Sequence, residues 1–279
     1  MGTSVKGKGG IALTELTLLI AIVLTLIPIG WLFWNSFKYH RDIINLDNPT
    51  TFTLNNYTAL FSGSSKFLTL FLNSLGVVFF TTVLCLLIGS LAAYSLSKFR
   101  WPRALTATVL GASLFIQLVP PIALVPAYYV MLNTFYLYNS VTGLILVNTV
   151  FNLPFAIFLL KVYFDSIPDE LKEAALVDGC KDAGVFWRVM LPLAAPGIGA
   201  VTILVGILAW NEFLMALSLT STPDAQTITV GIGTYVQQYS VRYGEMTASA
   251  AVATIPIVIL AALAHRYIVT GLTGGAVKE

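Results

Sequence analysis

Charge is scarce in this sequence. Of its 279 residues only 10% are Asp, Glu, Lys or Arg, 57% are hydrophobic, and the mean hydropathy is +0.84. A water-soluble domain carries about 25% charged residues. One soluble core is therefore excluded, and a polytopic membrane protein is indicated. The net charge of +2 is too small for a nucleic-acid partner. Cysteine and histidine are almost missing, with two of each. Cys85 lies in an apolar run and Cys180 in a charged stretch, which puts them at different depths and argues against a disulfide. His40 and His265 are far apart, so no metal site is expected. No G-x-x-x-x-G-K-[ST] occurs, so ATP is not expected to bind this chain. An intramembrane hydrolase needs a nucleophile and a base within reach, and neither histidine lies near the middle of an apolar run.

What the sequence does have is long hydrophobic runs. A membrane helix takes about 20 mainly apolar residues. Six runs qualify, at about residues 13–37, 68–96, 104–132, 141–164, 195–219 and 246–269. The first exceeds the about 7–15 residues of a signal-peptide core. The Lys and Arg positions set an expected orientation. With the N-terminus inside, eleven of the fifteen fall on the cytoplasmic side. Residues 1–12, 165–192 and 271–279 are then cytoplasmic around a membrane domain of residues 13–270. Loops 38–67 and 220–245 face outward. Residues 52–57 are expected to form a short ordered segment. Residues 227–239 mix glycine with β-branched residues and are expected to re-enter partway.

One charged block interrupts this pattern. After Pro168, which suits the first turn of a helix, Asp169 and Glu170 oppose the helix dipole. Leu171, Ala174 and Ala175 share a face, and Gly179 fits a left-handed cap. A second helix is expected from Asp182, with Phe186, Val189 and Met190 as its apolar face and Pro192 as its stop. The pattern admits two readings: a docking site for a soluble partner, or a solvated loop kept out of the membrane by its charges. Polar residues inside spans usually face a bundle interior or a cavity. They are Asn73, Gln117, Asn148, Asn152, Asn211 and Glu212, with Asn148 and Asn152 on one helix face. Their alternative role is interhelical hydrogen bonding, at about 0.6 kcal/mol each. Pro120, Pro121, Pro154 and Pro256 are expected to kink or interrupt helices. An autonomous ion-coupled carrier would need paired intramembrane charges, and only Glu212 stands out.

A resemblance chooses between the readings of the block. Glu173-Ala174-Ala175, then Gly179, Val189 and Leu191-Pro192, resembles the EAA loop of bacterial ABC importer membrane subunits, with Val189 where isoleucine is commoner. The longer form, with Asp178, Phe186 and Leu193, is similar to the six-span carbohydrate-uptake permeases related to the maltose permease. Phe52 to Tyr57 with Leu60-Phe61, Trp210-Asn211-Glu212-Phe213, and the tail from Gly271 to Lys278 resemble further motifs of that family. The resemblance implies an all-α type I ABC importer transmembrane fold. It also implies a docking helix in which Glu173, Ala174, Ala175, Asp178, Gly179, Leu191 and Pro192 engage a cytoplasmic ATPase dimer. ATP and Mg would sit on that partner, with no cofactor on this chain and no catalysis by it. A second permease, an extracytoplasmic binding protein and membrane lipid are the other implied partners. The implied cargo is a sugar, with glycerol phosphate or a polyamine as rivals.

Overall fold

The structure is a computed structural model and describes residues 8–45, 51–62, 65–237 and 241–274. Residues 1–7 and the end of the family-like tail, 275–279, lie outside the described residues. The described chain is helical throughout, with isolated bridges at Lys38–Phe52 and Val236–Val241. Among the described residues, four helices are long and apolar enough to cross a membrane, or six spans if two sharply bent pairs count as one each. The chain divides into two compact units, residues 1–65 with 232–252, and residues 66–231 with 253–279.

The first unit contains α1 (Lys8–Ser36), α2 (His40–Ile44) and α3 (Asn55–Leu60). The segment expected to be ordered at residues 52–57 is held by specific bonds. Asn56 Nδ2 donates to the carbonyls of Ser36 and Lys38, both at 2.8 Å, and Tyr57 shares a 2.7 Å hydrogen bond with Ser36. Phe52 meets Trp34 edge-on, with ring centroids 5.1 Å apart. In the loop, hydrogen bonds from Thr51 hold the Asp42 carboxyl below the usual carboxylate range. The most apolar stretch of α1 is uncovered.

The second unit is built on α4 (Phe67–Lys98), which packs against α7 (Val141–Asp165) and α11 (Ala195–Trp210). One core cluster joins Cys85, Tyr94, Leu160, Phe164, Val185, Phe186, Met190 and Val201. A second joins Val77, Leu132, Leu144, Val147, Met215 and Leu219. Gly197 makes the α7–α11 approach possible, because a Cβ there would collide with the Tyr163 ring.

The interruption expected at Pro120 and Pro121 is present, whereas the fifth run and the charged block need correction. The third apolar run forms α5 (Arg103–Leu118) and α6 (Pro121–Thr134), bent by 102°. Pro120 and Pro121 lack N–H donors, and each restricts the residue before it to extended backbone. The fifth run ends its helix at Trp210 and resumes as α12 (Leu214–Leu219). Pro192 does not stop the second helix of the charged block. That helix runs as α9 (Asp182–Val185), a π-helical turn (Phe186–Met190) and α10 (Leu191–Leu193), and only then bends by 75° into α11. The Leu191 N–H reaches the Phe186 carbonyl in the wide π turn. Pro192 follows within the first turn of α10, where a missing N–H is tolerated. The segment expected to re-enter holds α13 (Ile228–Gly233). Ile228 donates to Ser74 Oγ of α4 at 2.8 Å.

Candidate functional site

The charged block forms α8 (Asp169–Val177), closed by a Schellman motif. Gly179 adopts φ +84°, as the capping position requires. Cys180 N–H donates to the Ala175 carbonyl at 3.0 Å, and Gly179 N–H donates to that of Leu176 at 3.1 Å. Ala175 is therefore both a core contact, 8% exposed, and the acceptor that closes the helix. The remaining residues named for docking divide by exposure. Glu173, Ala174, Asp178, Gly179 and Pro192 are exposed, and Leu191 is half-buried. Leu171 (42% exposed) and Val177 (87%) leave an apolar surface beside Ala174 uncovered. The expected shared face of Leu171, Ala174 and Ala175 is thus split, with Ala175 alone turned into the core. In the following turn Val185, not Val189, joins Phe186 and Met190 in full burial.

The block is anchored by contacts that sequence reasoning missed. Lys98 Nζ, at the end of α4, donates to the Ile167 carbonyl at 2.5 Å and to Asp169 Oδ1 at 2.6 Å. The Lys98 hydrogen bond and charge hold the Asp169 carboxyl below its ordinary range. Lys172 Nζ returns the tie, donating to the Lys98 carbonyl at 2.7 Å and lying 4.3 Å from the Phe99 ring centre. Tyr94 packs against Phe186 and Phe164, with centroids 5.1 and 5.8 Å apart. The available signal was a run of aromatics and lysines just outside two apolar runs.

The second feature is a cavity of about 650 Å³. Gln117, Asn148, Asn152, Asn211 and Glu212 all line it, with Phe151, Phe155 and Phe213. Breaks in the helices make it. Gln117 and Pro121 flank the α5–α6 bend, and residues 211–215 cover the gap between α11 and α12 and the start of α12. α7 is the continuous wall. Asn148, Phe151, Asn152 and Phe155 recur at intervals of three and four and so share a face. Gln117 Nε2 donates to the Phe151 carbonyl at 3.0 Å across the cavity wall. Asn148, Asn152 and Asn211 each donate to the carbonyl four residues back, at 3.0, 2.8 and 2.8 Å, which fixes their orientation. Glu212 starts α12: its carboxylate accepts from Met215 N–H at 2.6 Å and Ala216 N–H at 3.0 Å. Those donors have no partner within the helix. Asn73 is the exception among the polar candidates. It does not line this cavity and instead donates to the carbonyls of Asp224 and Gln226 at 3.0 and 2.9 Å. The aromatic lining at Phe151 and Phe155 was legible from its spacing to Asn148. Phe213 was hidden because the break after Trp210 was not foreseen.

Comparison with known proteins gives this geometry a family. Residues 85–274 match the family described as binding-protein-dependent transport system inner membrane component. The trehalose transport system permease protein SugB of Mycobacterium tuberculosis is 38% identical over 256 residues, covering 91% of this chain and 92% of that protein. The arabinooligosaccharides transport system permease protein AraQ of Bacillus subtilis is 33% identical, covering 96% of this chain and 95% of that protein. Among solved structures, a bacterial ABC transporter that imports alginate matches with a TM-score of 0.79 at 21% identity. That match covers 96% of this chain and 99% of that chain, and it shows a shared fold. The chain belongs to the family of inner membrane components of binding-protein-dependent transport systems, and it is a multi-pass transport subunit rather than an enzyme.

Proposed function

We propose that this chain is one of two permease subunits of an ABC importer for a sugar or oligosaccharide. An external binding protein delivers the cargo, and a separate ATPase that holds ATP and Mg drives its passage. The observation that carries the reading is the cavity, where five separately encoded polar side chains meet three phenylalanines. Its volume lies within the about 300–1,000 Å³ of small-molecule sites. Amides and a carboxylate are donors and acceptors for hydroxyls, and phenylalanine rings offer apolar faces to a pyranose. The lining holds no Lys or Arg for a phosphate, and only one carboxylate for a polycation. Relatives named for trehalose, diacetylchitobiose and arabinooligosaccharides support the same cargo class.

The exposed apolar and acidic surface of α8 supports ATPase docking through Glu173, Ala174, Asp178 and Gly179, with Leu191 and Pro192 further along and the buried Ala175 anchoring the helix from the core side. The charge bias supports cytoplasmic termini and a cytoplasmic α8. The uncovered apolar stretch of α1 supports contact with lipid and with a second permease. The test is ATP hydrolysis by the reconstituted importer with its binding protein. Stimulation by a disaccharide or oligosaccharide panel, and not by glycerol phosphate or spermidine, is expected. Stimulation by either of the latter alone overturns the sugar assignment.

A further inference from the structure

We infer that α4 is a strut between the docking loop and the cavity, with Lys98 and Asn73 as the positioning residues at its two ends. The inference rests on the function proposed above and assigns roles to residues outside both the docking surface and the cavity lining.

At one end, the Lys98 side chain is 3% exposed and its ammonium is held by the Ile167 carbonyl and Asp169. A buried charge that loses its partners is strongly disfavoured, so the end of α4 and the start of α8 move as one piece. Lys172 on the Lys98 carbonyl makes the tie reciprocal. At the other end, Asn73 Nδ2 is shared among the carbonyls of Pro223, Asp224 and Gln226, and Ser74 Oγ accepts from Ile228 N–H. Gly231 lies so close to Leu70 that a Cβ would strike it. The held segment then reaches the cavity, because Thr229 Oγ1 donates to the Glu212 carbonyl at 2.8 Å. Glu212 in turn caps α12 and lines the cavity. The chain of contacts runs unbroken from Asp169 to Glu212.

The element between the two ends is suited to carry displacement. At 1.5 Å per residue, Asn73 and Lys98 stand about 37 Å apart along the axis. The other long helices, α1, α7 and α14 (Tyr243–Gly274), each contain a proline, at Pro28, Pro154 and Pro256, and α4 contains none. Sharp kinks in helices arise mainly at prolines, Gly/Ser pairs and local bulges, and α4 runs unbroken through its one Gly-Ser pair, Gly89-Ser90. Close packing also keeps α4 in place: a Cβ on Gly89 would stand 3.4 Å from Leu160 Cδ1 and 3.5 Å from Ala156 Cβ. Close-packed interiors transmit strain.

The test uses the complete importer in vesicles, with Cys180→Ser and a reporter at Phe213→Cys; Cys85 is buried. Labelling by a membrane-impermeant maleimide is timed with and without ATP plus vanadate. The parent complex is expected to label at a different rate with ATP plus vanadate than without, a ratio clearly away from one. Lys98→Met and Asn73→Asp should bring that ratio close to one while the ATPase still co-purifies. Lys98→Arg should keep it. Thr229→Val, which preserves shape and removes the last link together with the Thr227 hydroxyl bond, should reduce it. An unchanged ratio in Lys98→Met, Asn73→Asp and Thr229→Val, with the ATPase bound, overturns the strut. A parent complex with no ATPase, or with no nucleotide response, instead overturns the importer reading beneath it.

Discussion

α7 and the α5–α6 pair each take one apolar run of the sequence and use it differently. α7 carries Pro154 within a continuous helix, and half of its most apolar window is buried against neighbours. The α5–α6 pair breaks by 102° at its prolines, and no residue of α5 is buried. The neighbours explain the difference. α7 is clamped between α4 and α11, so packing holds the helix across its proline. α5 meets α7 on one side and buries no residue, so its backbone follows the local preference of the X-Pro-Pro sequence. The continuous helices are scaffold, and the breaks are where the chain lines a cavity or turns into the charged block around α8.

The largest effects should come from the break at Gly179. Proline there cannot adopt φ +84°, and Gly179→Pro, like Glu173→Lys on the exposed face of α8, should abolish transport. Membrane insertion, followed by protease protection, should be unchanged. Normal uptake in both variants would remove α8 from the coupling mechanism. The next largest effect tests the scaffold itself. Gly197→Leu drives a side chain into the Tyr163 ring and should destabilise the protein by about 1–3 kcal/mol, seen as a lower melting temperature in detergent.

The cap on α12 comes third. Glu212→Ala leaves the N–H groups of Met215 and Ala216 without their acceptor and should cost about 1 kcal/mol. Glu212→Gln keeps one acceptor oxygen and should cost less. Equal melting temperatures for all three proteins would deny the cap. Asn148→Ala and Asn152→Ala each remove a hydrogen bond within α7, worth about 0.5–1.5 kcal/mol, so a change in uptake well beyond their loss of stability assigns them to the cargo. Equal losses return them to packing.

The smallest effect is a pH dependence. The folded Asp169 carboxyl is depressed by Lys98, so the stabilisation it contributes is present above the ordinary carboxylate pKa. It is lost as pH falls through the lower folded value. Asp169 is solvent-exposed, so screening keeps the effect slight. Asp169→Asn should flatten that limb of the melting curve against pH, and an unaltered limb excludes the pair as its source.

The sequence and the structure agree most where local rules act alone. The start of α8 at Pro168-Asp169-Glu170 and its end at Gly179 follow from dipole, cap and φ preferences that operate within one turn. The shared face of Asn148 and Asn152 follows from helical spacing. What stayed hidden depends on partners far along the chain. Whether a proline breaks a helix is decided by packing, as Pro154 and Pro120 show in opposite ways. Pro192 was read as a stop because the π turn before it has no marker in the local sequence. Asn73 reads like the cavity residues because an amide in an apolar run looks the same wherever it points. Its true acceptors lie some 150 residues later.

The decisive experiment is purification of the tagged chain from its native membrane in mild detergent, wild type beside Glu173→Lys, with mass spectrometry of what accompanies each. An ATPase and a second permease should come with the wild type. Glu173→Lys should lose the ATPase and keep the second permease. A wild-type chain that purifies alone, or a variant that retains its ATPase in full, contradicts a permease subunit driven through α8.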